Sequence, residues 1–248
     1  VQFVLLLPLL LPIGAAPFIA LLPPLNTGRA RAFFWIGALA LTLAAALAVC
    51  LLPDQRLDVL RLTDKLPIFF MSDDLGRYFV LLCAEMFLLV GIFSLEYMKH
   101  ESHQGRFYLF YLLVLGMLGA LGYAGNLMTL YLFFEAMTLL SMPLVLHALT
   151  KEAIAAAFKY LFYSIAGASL GLIGFFYVYI YGDSLTFVPG GVFAGGVAAG
   201  PANALLAVTL LAVIGVGAKA GTRPPHAWLP VAPPVVPAPA LPDLSGVG

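Results

Sequence analysis

The chain has 248 residues, of which 62% are hydrophobic and only 10% charged, with 12 basic side chains balanced by 12 acidic ones. Soluble domains carry about a quarter charged residues, so this composition excludes an ordinary soluble enzyme and predicts an all-α fold, a polytopic transmembrane helical bundle. Zero net charge leaves no footprint for nucleic acid, and without a phosphate-cradling glycine loop or a zinc-spaced cluster no cofactor or metal is expected.

The first span is predicted over residues 3–23. It reads as a retained helix, since no basic region precedes it and no small-residue cleavage site follows it. The chain starts at Val1 without a methionine, which points to a trimmed start or to a piece of a longer protein. A second span, 32–52, carries no charge, and residues 53–74 then form the longest polar stretch. Alternation within RLDVLRL predicts a short strand or hairpin on the membrane surface.

The third span, 75–98, holds Glu85 about ten residues in, which predicts a buried acid. Two roles stay open for it, a proton relay or a carboxylate hydrogen-bonded to a neighbouring helix. His100 and His103 sit beside Lys99 and Arg106 and read as a solvated loop. Cys50 and Cys83 fall in apolar segments, as packing cysteines do. A fourth span, 107–124, turns tightly at Gly125 into the fifth, so the two are predicted to be antiparallel neighbours.

The fifth span, 126–147, carries Glu135 near its middle. An ionisable group at that depth costs roughly 2.5–3.5 kcal/mol on insertion scales, so it is expected to face protein or water and to be functional. Tyr131, Thr138 and Ser141 share its helical face and give a polar stripe predicted to point inward. The sixth span, 154–181, has Lys159 near its start and Gly167 and Gly171 in a G-x-x-x-G pair suited to close helix approach.

After a Gly-rich connector, the seventh crossing begins near Asn203 and meets GVGAKAGTRPPHAWLP, where Gly215, Gly217, Gly221, Pro224 and Pro225 bracket Lys219. This composition predicts a broken helix, a feature that often marks ion sites. Two placements for Lys219 remain open. If the crossing ends at Gly221 the amine snorkels to the surface; if it resumes through His226 and Trp228 the amine lies near the midplane. The distribution of Lys and Arg favours an N-terminus outside and the Lys99–Arg106 loop in the cytoplasm.

From Ser94 onward the chain resembles the antiporter-like subunits of respiratory complex I, and equally the related subunits of Mrp-type cation/proton antiporters and energy-converting hydrogenases. LYLFFE ending in Glu135, AFKYL around Lys159 and GAKAG with PHAWLP around Lys219 carry the likeness, which spans roughly residues 73–230. It implies a fold of about fourteen helices in two inverted repeats, of which this chain would hold about seven spans and the start of an eighth. On that view residues 1–72 are an N-terminal two-helix segment with an extramembrane loop, and 73–248 a proton-channel domain, incomplete at its end.

The resemblance also implies roles. Glu135 matches the acid of the fifth helix, Lys219 the lysine of the broken seventh and Lys159 a lysine of the sixth, the acid altering the amine's hold on a proton. His226 matches a histidine after the break, either extending the proton wire or bonding a freed carbonyl, and Glu85 matches no functional residue. The implied function is proton translocation by a membrane-arm subunit of a NADH:quinone oxidoreductase-type complex, without redox chemistry of its own. Its partners would be other membrane subunits, protons, water and lipid, in a bacterial or archaeal cell membrane. An Mrp-type antiporter subunit is the alternative, and an inert fragment a third reading, because Val231 and Pro233 stand where an Asp and a His are expected and the chain then stops.

Overall fold

The computed structural model describes residues 2–22, 28–63, 66–189, 191–193, 199–222, 228–241 and 244. They form helices α1 (Leu7–Leu21, entered through a 3-10 turn), α2 (Gly28–Cys50), α3 (Asp74–Tyr97), α4 (Gln104–Gly122), α5 (Leu127–Val145), α6 (Lys151–Tyr181) and α7 (Ala199–Lys219). Among the described residues seven helices are long and apolar enough to cross a membrane, so the fold is an all-helical polytopic bundle. Start signals lie in the sequence: Asp73, Asn126 and Thr150 each accept from the backbone N–H three residues on, at 2.7, 2.8 and 3.1 Å, and so cap α3, α5 and α6.

In the bundle α1 runs along α2 and α4, α2 covers α3, α4 bridges α3 to α5, and α6 lies between α5 and α7. Trp35 anchors the first part: its Nε1–H donates to the Gly91 carbonyl at 2.8 Å, and its ring packs edge-on against Tyr108. Tyr111 donates to the Phe87 carbonyl at 2.9 Å, so Trp35 and Tyr111 are held by hydrogen bonds as well as by packing. Small residues join α6 to α7, as the G-x-x-x-G pair predicts. A Cβ on Gly167 would stand 2.5 Å from the Gly215 carbonyl oxygen, and one on Gly174 2.7 Å from the Ala212 Cβ.

The predicted hairpin is present as β1 (Arg56–Thr63) antiparallel to β2 (Leu66–Met71). Its backbone bonding extends further than the sequence suggests. Met71 N–H donates to Tyr123 O at 2.8 Å, Gly125 N–H to Phe69 O at 3.2 Å, and Phe187 N–H to Gly125 O at 3.2 Å. The α4–α5 turn and the segment after α6 thus knit onto the hairpin and close one end of the bundle. Gly125 is required there because the Phe69 ring occupies the space a Cβ would fill.

Two findings differ from expectation. Glu85 is exposed on α3, not buried, because α2 and α4 pack against the other side of that helix. Residues 228–241, where an eighth span was expected to start, form turns and two short 3-10 segments. Pro230, Pro233, Pro234, Pro237 and Pro239 remove the amide donors an α-helix needs. This segment still packs inward, burying Trp228, Ala232, Val236 and Ala240.

Candidate functional site

The site forms where α7 stops. Helix α7 ends at Lys219, and Gly221 at φ +72° takes the left-handed conformation that reverses the chain. Gly221 N–H donates to Ala218 O at 3.3 Å and Thr222 N–H to Gly217 O at 2.9 Å, so the last turn's carbonyls are used locally. Trp228 covers the same turn: its Nε1–H donates to Ala218 O at 2.8 Å, while its ring meets Tyr160 of α6 edge-on at 5.2 Å. The break is therefore wrapped in protein.

Lys219 is 3% exposed. Its ammonium donates to the Phe134 carbonyl at 2.9 Å and to Thr138 Oγ1 at 2.5 Å, and lies 3.9 Å from the centroid of the Phe134 ring. Phe134 and Thr138 straddle the middle of α5, so Lys219 is level with the centre of that helix and not at its end. Of the two placements the sequence left open, the amine takes the buried one, although its stated cause differs: no helix resumes over residues 228–241, and it is their turns and 3-10 segments that pack back over the end of α7.

Glu135 follows Phe134 directly and is half-buried. Among the described residues no ion pair of 4.0 Å or less joins it to Lys219; the two interact through space, and Glu135 Oε1 is buried without a protein donor. Buried carboxylate oxygens without a protein donor are commonly satisfied by ordered water. The lysine is held instead by the backbone and hydroxyl on either side of the acid, one turn apart.

Of the predicted stripe, Thr138 and Ser141 are buried, whereas Tyr131 and Glu135 are half-buried. Tyr131 stacks on Phe175 at 6.4 Å and lines an apolar cavity of about 610 Å³ between α5, α6 and α7. Below Lys219 the polar groups continue: Ser141 Oγ donates to Thr138 O at 3.1 Å and shares a 2.7 Å hydrogen bond with Tyr160 Oη. Beyond the end of α5, His147 is buried, and its carbonyl accepts from Arg106 at 2.5 Å.

The other sequence candidates stand apart. Lys159 is half-buried on α6, one residue before Tyr160, with no hydrogen bond or ion pair to Glu135 or Lys219. Glu85 is on the open side of α3, and His226 lies outside the described residues. Sequence reasoning gave Tyr160 no role and placed Trp228 only on a resumed crossing, not as the cover of the α7 end. Tyr160, Ser164 and Gly167 recur at helical spacing along α6 and are all buried, a periodic signal that was readable.

Comparison with known proteins bears on this geometry. Residues 124–241 match the transmembrane family described as NADH:quinone oxidoreductase/Mrp antiporter. Hydrogenase-4 component B of Escherichia coli K12 is 33% identical over 71% of this chain. The chain belongs to this antiporter-like family. A Na(+)/H(+) antiporter protein of Bacillus subtilis 168 is also similar, at 25% identity over 66% of the chain. Among solved structures, the archaeal membrane-bound sulfane sulfur reductase, a respiratory membrane complex, superposes with a TM-score of 0.78 over 95% of the chain at 20% identity. This family member is an integral membrane protein, and it spans 26% and 33% of those two curated relatives and 48% of the superposed chain.

Proposed function

We propose that this chain moves protons inside the bilayer as a membrane-arm component of a redox-driven complex of the NADH:quinone oxidoreductase type. One observation carries the reading: Lys219, a buried amine at a helix break, held on the middle of α5 beside Glu135. In this reading Lys219 holds the proton and Glu135 controls its release. The Phe134 carbonyl and the Thr138 hydroxyl fix the amine while it is loaded. The hydroxyls of Ser141 and Tyr160 continue the polar path toward the His147 end of α5, and Lys159 serves as a further proton-holding group on α6. The hairpin end faces the outside and the Lys99–Arg106 loop the cytoplasm.

A hydroxyl both accepts and donates, so Thr138 can take a proton's hydrogen bond from Lys219 without becoming charged. Separating acid and amine by a bonded turn of α5 lets a small shift of α7 change which of them carries the proton. The likeness to the Na(+)/H(+) antiporter protein favours a second reading, cation/proton exchange, which uses the same residues.

The test is substitution in the full complex, read by proton uptake into inverted membrane vesicles. Glu135→Gln and Lys219→Ala are each expected to abolish most translocation while subunit content stays unchanged. Normal proton movement in either variant overturns the assignment. Dependence of residual exchange on sodium, with electron donor absent, would select the second reading.

A further inference from the structure

Helix α3 keeps one side open, with Tyr78, Leu82, Glu85, Leu89 and Ile92 exposed along it. Glu85 is midway between Asp74 and Tyr97, so at 1.5 Å per residue it lies roughly 17 Å from either end. None of the described residues hydrogen-bonds or ion-pairs with it. A carboxylate directed at hydrocarbon at that depth costs roughly 2.5–3.5 kcal/mol. The chain does not place ionisable groups there freely: the open faces of α2, α6 and α7 carry none in their middle portions among the described residues.

Exposed positions on α3 alternate at four and three residues, the row against which a second helix packs at a shallow angle. Any helix with one open side shows that spacing. The carboxylate decides what lies on it. A lipid tail offers no donor, and a second copy related by a twofold axis would set Glu85 against Glu85.

We propose that this face of α3 is a docking seam for a transmembrane helix of another subunit, and that this helix carries a lysine, arginine or histidine level with Glu85. The seam presents one acid and no base at mid-depth, so its complement supplies the base. A polar pair between helices in lipid adds modest affinity and can fix register and rotation, and removing one member leaves the other unpaired at a larger cost. The inference does not depend on the proton reading, because Glu85 touches neither Glu135 nor Lys219.

The experiment places a photo-crosslinking amino acid at Leu82 or at Leu89 in the otherwise unchanged chain, in its native membrane, and sequences the captured peptide. Both positions are expected to capture one apolar segment of a different subunit with a basic residue between the two attachment points. Capture of lipid alone, of this same chain, or of a segment without a base overturns the proposal. In a second arm, Glu85→Leu is expected to lower co-purification of that subunit about tenfold or more, Glu85→Gln by less than about threefold, and charge exchange of the pair to restore it. If Glu85→Leu assembles as well as the unmodified chain, the seam is refuted even where crosslinks form. Loss of translocation in Glu135→Gln has no bearing on either arm.

Discussion

Replacing Thr138 by valine removes a hydroxyl and leaves the shape of the side chain, which makes it a direct probe of how Lys219 is held. Thr138 Oγ1 accepts from the ammonium at 2.5 Å, and the same hydroxyl donates to Phe134 O at 3.1 Å. A hydrogen bond to a charged group contributes about 1.5–3 kcal/mol, so the fraction of molecules with the amine detached should rise about 10- to 150-fold. Since Lys219 is 3% exposed, its amine reacts with a membrane-permeant acylating reagent only when detached. The acylation rate at Lys219, read by peptide mass spectrometry, is expected to increase by that factor in Thr138→Val. Thr138→Ser keeps the acceptor and should stay within about twofold of the parent. Lys99, with a side chain 58% exposed, supplies the internal reference. The reasoning fails if Lys219 in Thr138→Val reacts at the parental rate relative to Lys99, or if the parental Lys219 already reacts as fast as Lys99.

Three further outcomes follow from the packing and the electrostatics. Gly215→Leu drives a side chain into the Gly171 amide nitrogen, 2.8 Å from where a Cβ would stand, and should lower the melting temperature in detergent by separating α6 from α7; Gly14→Ala, with nothing within 4 Å, should raise it slightly. Burial, and then the nearby Arg106 charge, lower the pKa of His147 to about 4 from 6.5. The unfolded chain therefore binds more protons between these values, and stability should fall as pH drops from about 6.5 to about 4. His147→Phe should flatten that loss by on the order of 1–2 kcal/mol after solvent screening, measured by thermal unfolding across pH. Trp228→Phe loses the 2.8 Å bond to Ala218 O and should cost about 1 kcal/mol, with increased protease cutting between Gly221 and Leu229 as the readout.

How much of this was legible in the sequence depends on which physical signal each feature left. Spans were readable because twenty apolar residues in a row have few other uses, and observed helix limits fall within about four residues of the predicted ones. The hairpin showed through its alternation, and a close helix approach on α6 through its glycines, though not that α7 is the helix that makes it. Burial of an individual side chain was less readable. Glu85 and Glu135 look alike as lone acids in apolar runs, yet one is exposed and the other half-buried, because the face a helix presents depends on neighbours that its own residues do not name. Lys219 was ambiguous for a related reason: whether the chain after Gly221 returns over the break rests on Trp228 meeting Tyr160, a contact between residues far apart in the chain. The Phe134 carbonyl, a backbone group, had no sequence signature at all.

The backbone lacing at the hairpin end ties down one end of α5. Helix α5 is fastened there by Leu127, whose N–H donates to Leu185 O at 3.1 Å, and further along by side chains, Ser141 on Tyr160 of α6 and Arg106 on the His147 carbonyl. Phe134 is seven residues along from that fastening, or about 11 Å, so a swing of about 10° carries it about 2 Å sideways while the His147 end sweeps about 5 Å. Two ångströms is enough to part the amine from its carbonyl. A modest lever movement at the far end would therefore arrive at Lys219 as a grip that is either closed or open.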